Sequence, residues 1–180
     1  IKKAGNPNAY NRKPFSKTEV KKIWDVKDSN IYYTVILMLI YTGCRIGELL
    51  DLKKGNVNLE ERYFKIVASK TAAGIRTAPI SEKIYPFFEY WYNLNDCEYL
   101  LSTPEGEHFK YRNYYDSYWS PLIETLGMKH RPHDTRHTCI SMLTVAGVSD
   151  KVIKKIVGHK GQGVTEVVYT CLLYTSDAAD

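Results

Sequence analysis

Residues 31–42, Ile-Tyr-Tyr-Thr-Val-Ile-Leu-Met-Leu-Ile-Tyr-Thr, are apolar on nearly every side of any helix they form. All-round apolarity marks a helix buried at the centre of a domain, because a surface helix keeps one polar face. Gly43 breaks this segment, and residues 45–52 restart as a short helix. Upstream, Ser16-Lys17-Thr18-Glu19 has the spacing of a capping box and opens a helix to about Val26. Downstream, residues 56–59, 63–67 and 76–80 are rich in β-branched and aromatic side chains and read as short strands. Thr71-Ala72-Ala73-Gly74 supplies the turn between the last two. Helical spacing returns over residues 82–93, 110–126, 133–146 and 149–157. Pro132 suits a first helical turn, Gly147 a C-terminal stop and Ser149 the next N-cap. Val152, Ile153, Ile156 and Val157 mark the buried face of the last helix. The expected class is α+β, mainly α-helical with a small antiparallel β-sheet.

With 180 residues, 44% of them hydrophobic, the chain can bury a substantial core as one domain, placed at residues 14–170. Residues 1–13, with Gly5, Pro7 and several asparagines, read as an extended interdomain linker. The chain opens without Met or a signal peptide, which suggests that it begins inside a longer protein. The apolar run is far shorter than a membrane span, so no membrane partner is expected. Residues 171–180 match a translation of a transposase-end adapter used in preparing sequencing libraries. They read as an artefact tail on a truncated fragment. This tail holds two acids, Asp177 and Asp180, and no Lys or Arg, so without it the net charge of +5 becomes +7.

That basic surplus favours a phosphate-rich partner without proving one. The four cysteines, Cys44, Cys97, Cys139 and Cys171, form no CxxC pair, which suggests reduced thiols in the cytoplasm and no zinc site. No P-loop, Gly-x-Ser-x-Gly elbow or HExxH motif is present. Neither a metal nor another cofactor is expected.

Six residues fit metal-free attack by a tyrosine hydroxyl on a phosphodiester. Arg45 stands in Thr42-Gly43-Cys44-Arg45-Ile46-Gly47-Glu48-Leu49, and Lys70 beside the predicted hairpin. His133 and Arg136 stand in His133-Asp134-Thr135-Arg136-His137, His159 in Val157-Gly158-His159, and Tyr169 in Val168-Tyr169-Thr170. Such a reaction builds negative charge on nonbridging oxygens, and a guanidinium fork meets that charge best. Arg45 and Arg136 are the candidates. An ordinary surface arginine is the bland alternative, but Arg45 directly follows a buried segment, where an idle charge is expensive. His133 and Arg136 are three apart and share a helix face. There His133 could accept the tyrosine proton, although a lone histidine more often caps or packs; His137 is left to that reading. Glu48 would steady Arg45 or His133, its rival role being a solvent-facing acid.

In this order the residues resemble the catalytic domain of the tyrosine recombinases, the phage and transposon integrase family, over residues 15–170. The resemblance implies that family's fold and makes Tyr169 the nucleophile, which fifteen tyrosines in the chain would not single out alone. It places a mobile lysine in the hairpin, where Lys70 would protonate the departing 5′ oxygen. His159 would donate to a nonbridging oxygen, and Arg76 would hold backbone phosphate. The function implied is site-specific recombination of a mobile element through a 3′-phosphotyrosyl intermediate. The implied setting is double-stranded DNA, a homo-tetramer when full length, and the cytoplasm in association with the nucleoid. A type IB topoisomerase shares nearly all of this chemistry, but the Thr-Gly-x-Arg-x-Gly-Glu-Leu run and Val-Gly-His favour a recombinase. A non-catalytic DNA-binding regulator should have lost at least one of the six residues.

Overall fold

The computed structural model describes residues 13–158. Helix α1 (Lys17–Val26) opens on the expected capping box: Ser16 Oγ accepts from the Glu19 N–H at 3.1 Å, and the Glu19 carboxylate accepts from the Ser16 N–H at 2.8 Å. Helix α2 (Tyr32–Thr42) is the centre of the domain, with Val35 to Ile40 wholly inaccessible to solvent. Burying one such side chain contributes about 1.5–3 kcal/mol, so α2 anchors the fold. It stops at Gly43, whose φ of +66° is the left-handed conformation that a side chain resists. The space there is closed as well. A Cβ on Gly43 would lie 2.9 Å from Val157 and 3.1 Å from the Cys139 sulfur.

Helix α3 (Ile46–Leu50) follows, with Arg45 as its extended N-cap rather than its first helical residue. A three-stranded antiparallel sheet comes next, β1 (Val57–Asn58), β2 (Tyr63–Ile66) and β3 (Arg76–Pro79), paired in that order. Tyr63 faces Pro79 and Ile66 faces Arg76 across β2 and β3. Strand β1 is shorter than its β-rich sequence suggests. A 3₁₀ turn at Ala72–Gly74 leads into β3, as the Gly-containing turn predicts. Phe64 stacks on Phe88 at 5.4 Å and fastens the sheet to α4 (Tyr85–Asn93).

Residues 110–126 form an interrupted helix, α5 (Tyr111–Tyr114) and α6 (Ser120–Thr125) joined through a π-helical turn at Tyr115–Trp119. The turn brings Trp119 into the core, where its indole N–H donates to the His130 carbonyl at 2.9 Å. Helix α7 (His133–Val145) packs along α2 and against α8 (Asp150–Val157), which Ser149 caps as expected. Pro132 is the N-cap of α7. Cys139 and Leu143 of α7 meet Ile153, Ile156 and Val157 of α8 in a small second core. The architecture is the expected α+β class: helices around α2 with one small sheet at the edge. Among the described residues no helix is long and apolar enough to cross a membrane.

Candidate active site

The chain leaves the buried helix α2 at Gly43 and surfaces two residues later at Arg45, whose side chain is a quarter exposed. Its guanidinium donates to Glu48 Oε1 at 3.0 Å, and its backbone N–H donates to Glu48 Oε2 at 3.0 Å. One glutamate thus closes the first turn of α3 and aims the arginine. Arg45 lines a cleft of about 1120 Å³ together with Ser69, Lys70, Tyr111, Arg131 and His133. Lys70 lies beyond the end of β2 in the loop toward β3 and is exposed. His133, at the first turn of α7, is half-buried, with the His137 ring edge-on at 5.1 Å one turn further along.

Arg136 does not line this cleft. It is 1% exposed, and its Nη1 donates to the Gly43 carbonyl at 2.9 Å. Its Nη2 is buried with no hydrogen-bond partner among the described residues. Burial first, and then the positive charges of Arg45 and Arg76, pull its pKa down to about 10. Such a group stays charged at neutral pH but is short of negative partners.

Glu48 is not the solvent-facing acid considered above: its side chain is 4% exposed and faces inward. Besides Arg45 it accepts from Arg76 Nη2 at 3.1 Å and from the Ser69 hydroxyl at 2.8 Å. Burial alone would raise its pKa. Hydrogen bonds and charge from Arg76, with the Arg45 N–H and Ser69, outweigh that and hold the carboxyl below its usual range.

Arg76, expected from the sequence to hold DNA phosphate, packs among protein groups here. Its side chain is only 7% exposed. Its Nε donates to the Ile156 carbonyl at 2.9 Å, its Nη1 to the Gly74 carbonyl at 2.6 Å, and both terminal nitrogens reach Glu48. A buried carboxylate and the open carbonyl end of α8 both need donors, and a guanidinium on β3 supplies them. His159 and Tyr169 lie outside the described residues, as do residues 1–12 of the expected linker and the tail segment. Helix α8 ends at Gly158, one residue before His159 in the chain.

One further cluster braces the site and was not anticipated from sequence. His130 is stacked on Phe15 at 3.8 Å, with Nδ1 at 3.0 Å from Asp134 and Nε2 at 3.1 Å from Glu19. It joins the start of α1 to the start of α7, where His133 sits. The one hint in the sequence is Asp134, an acid in the first turn of a helix; nothing local connects Glu19 to a histidine 111 positions away. Among the described residues no group of three or more His, Cys, Asp or Glu side chains is placed to hold a metal ion. Cys44 and Cys139 are buried free thiols, and burial pushes Cys139 up to about 12.

The chain resembles known proteins at each level. It is 29% identical over 172 residues to tyrosine recombinase XerA of Pyrococcus horikoshii, covering 92% of this chain and 60% of that protein. The Tn1549 transposon integrase, solved in complex with a circular intermediate DNA, superimposes with a TM-score of 0.75 at 19% identity, over 93% of this chain and 62% of that one. Lambda integrase, solved as a tetramer bound to a Holliday junction, gives a TM-score of 0.70 at 17% identity, over 89% of this chain and 52% of that one. At such identities the structures establish a shared fold. The chain spans about half to three-fifths of the length of the curated relatives it matches. The phage integrase family profile matches residues 13–175, almost the whole chain, and the chain belongs to that family.

Proposed function

We propose that this chain is the catalytic part of a site-specific tyrosine recombinase that cuts and rejoins DNA of a mobile element. The observation that carries the reading is a charge imbalance. Three guanidinium groups, Arg45, Arg76 and Arg136, act around one buried carboxylate, Glu48, and one nitrogen of Arg136 has no partner among the described residues. A surplus of positive charge, with Arg45 lining the cleft and the buried Arg76 and Arg136 behind it, suits an anion whose charge grows during reaction. A phosphodiester passing through a crowded transition state is such an anion.

Tyr169 would attack phosphorus, its phenolic proton passing to His133 as the new O–P bond forms. The bond from phosphorus to the 5′ oxygen breaks, and Lys70 supplies the proton that makes the 5′ oxygen an alcohol. Arg45, Arg136 and His159 would hold the nonbridging oxygens. Diester is exchanged for diester, so the 3′-phosphotyrosyl link retains the bond energy and a second 5′ hydroxyl can reverse the step without a nucleotide cofactor. Two such exchanges need four protomers on two duplexes. The tetramer that lambda integrase forms on a Holliday junction supports that assembly here. A chromosome-directed enzyme would work in the cytoplasm, at the nucleoid.

The test is a DNA duplex nicked near the cleavage site, which traps covalent adduct on a denaturing gel. In the full-length protein, Tyr169→Phe should bind DNA as tightly as wild type and form no adduct, because phosphate contacts belong to other residues. Undiminished trapping by the Phe variant would move the nucleophile elsewhere.

A further inference from the structure

Arg76 stands where three segments of the site meet. Its Nη1 holds the Gly74 carbonyl at 2.6 Å, in the loop that carries Lys70. Both its terminal nitrogens hold Glu48, which in turn accepts the hydroxyl of Ser69, the neighbour of Lys70, at 2.8 Å. Its Nε holds the Ile156 carbonyl in the last turn of α8 at 2.9 Å.

The packing shows the same junction independently of the hydrogen bonds. Gly158, at φ +77°, lies so close that a Cβ there would come 2.7 Å from Arg76 Nη1 and 3.1 Å from the Gly74 Cα. Gly74 is itself pressed against the Ser69 side chain, leaving no room for a Cβ. The root of the lysine loop is therefore packed against the end of α8, with the Arg76 guanidinium between them. Lys70, by contrast, is exposed and lines the cleft with Arg45 and His133.

We propose that Arg76 is a positioning residue that fixes the base of the Lys70 loop to Glu48 and to the end of α8, so that the exposed lysine reaches the leaving oxygen. This rests on the reading of the chain as a recombinase with Lys70 as general acid. It replaces a phosphate contact with a role exerted through protein groups alone. Lysine at position 76 would keep the charge but lose the fork that serves Glu48, Gly74 and Ile156 together.

A change of leaving group isolates this role. If sulfur replaces the bridging 5′ oxygen of the nicked duplex, the departing group is a thiolate, and a thiol ionises near pH 8.5 without help (about 8.5 for Cys). Cleavage then needs no proton from Lys70, whereas an alkoxide does need one. The full-length wild type, Lys70→Ala, Arg76→Lys and Ser69→Ala would each be assayed on both duplexes, with circular dichroism melts confirming that each variant folds.

Lys70→Ala should lose about 100-fold or more on the oxygen duplex and recover most of that on the sulfur duplex, the span typical of a missing general acid. Arg76→Lys should lose at least about tenfold on oxygen and markedly less on sulfur. Ser69→Ala should shift in the same sense by a smaller factor. Because Ser69 is only half-buried, that variant carries the test should Arg76→Lys fail to fold. Equal losses on both duplexes would make Arg76 merely structural and overturn the proposal, as would unchanged rates. If the wild type forms no adduct the recombinase reading fails, and if the sulfur duplex does not rescue Lys70→Ala the general-acid role of Lys70 fails; either result takes this proposal with it.

Discussion

Arg136 donates to the main-chain carbonyl of Gly43 at 2.9 Å, tying the first turn of α7 to the peptide two residues before Arg45. Two guanidinium groups 91 positions apart in sequence, 136 − 45, are thereby set against one stretch of backbone. The buried arginine fixes where the exposed one emerges, and its remaining nitrogen is left with capacity for an anion.

That arrangement should separate stability from activity. In Arg136→Met, the Gly43 carbonyl loses its donor, at a cost of about 1–3 kcal/mol. Removing a buried cation that lies near two others offsets much of this. The expected net change is within about 1 kcal/mol, with covalent adduct abolished. Urea denaturation beside adduct trapping reads both quantities. A variant that unfolds, or one that still cleaves, contradicts the arrangement.

Glu48 should govern stability on the acid side. Its folded pKa lies below the ordinary value of about 4.3, so within that window the unfolded chain binds more protons than the folded one. Stability therefore rises with pH through the window, is complete above it, and is lost as pH falls through the folded value. At pH 7, Glu48→Gln leaves Arg45 and Arg76 without their counter-charge and should cost about 3–5 kcal/mol. Denaturation curves taken from pH 7 down to pH 2 should show the gap between variant and wild type closing. Glu19 is also held low and remains in both proteins, so it cancels in the comparison. A gap independent of pH would mean that Glu48 acts through shape and not through charge.

Loss of His130 should loosen the junction of α1 and α7. In His130→Ala, the stack on Phe15 and the contacts to Glu19 and Asp134 go together, and about 2–4 kcal/mol of stability should go with them. Hydrogen exchange would locate the effect. Faster exchange should appear at the first turns of α1 and α7, while the amides of α2 keep their order of protection. Uniform loss across all helices would place His130 in the general core instead.

Gly43→Ala should destabilise the fold by more than about 1–2 kcal/mol, the cost of forcing a left-handed conformation on a residue with a Cβ. The crowding against Val157 and Cys139 adds to it. Cys139→Ala would open space on one side, so the double variant should recover part of the loss. Strict additivity of the two changes in thermal melts would show that the crowding is not felt.

Much of this was legible in the chain alone, because it depends on local periodicity and local hydrogen bonding. The all-round apolarity of residues 31–42 marked α2 as the centre, Gly43 ended it, and Ser16 and Ser149 capped the helices they precede. The motifs around Arg45, Lys70 and His133 named residues that the fold gathers on one cleft. What sequence could not supply were choices between partners far apart along the chain. Arg76 and Glu48 are 28 positions apart, Arg76 and Ile156 are 80, and Arg136 and Gly43 are 93. An arginine at the start of a strand can equally face solvent, phosphate or a buried acid. The docking of α8 against the sheet decided that Arg76 turns inward, because Glu48 and the last carbonyls of α8 had lost water and needed a donor. A local pattern records how far a residue is buried, but only the packed tertiary structure determines which charges are desolvated together.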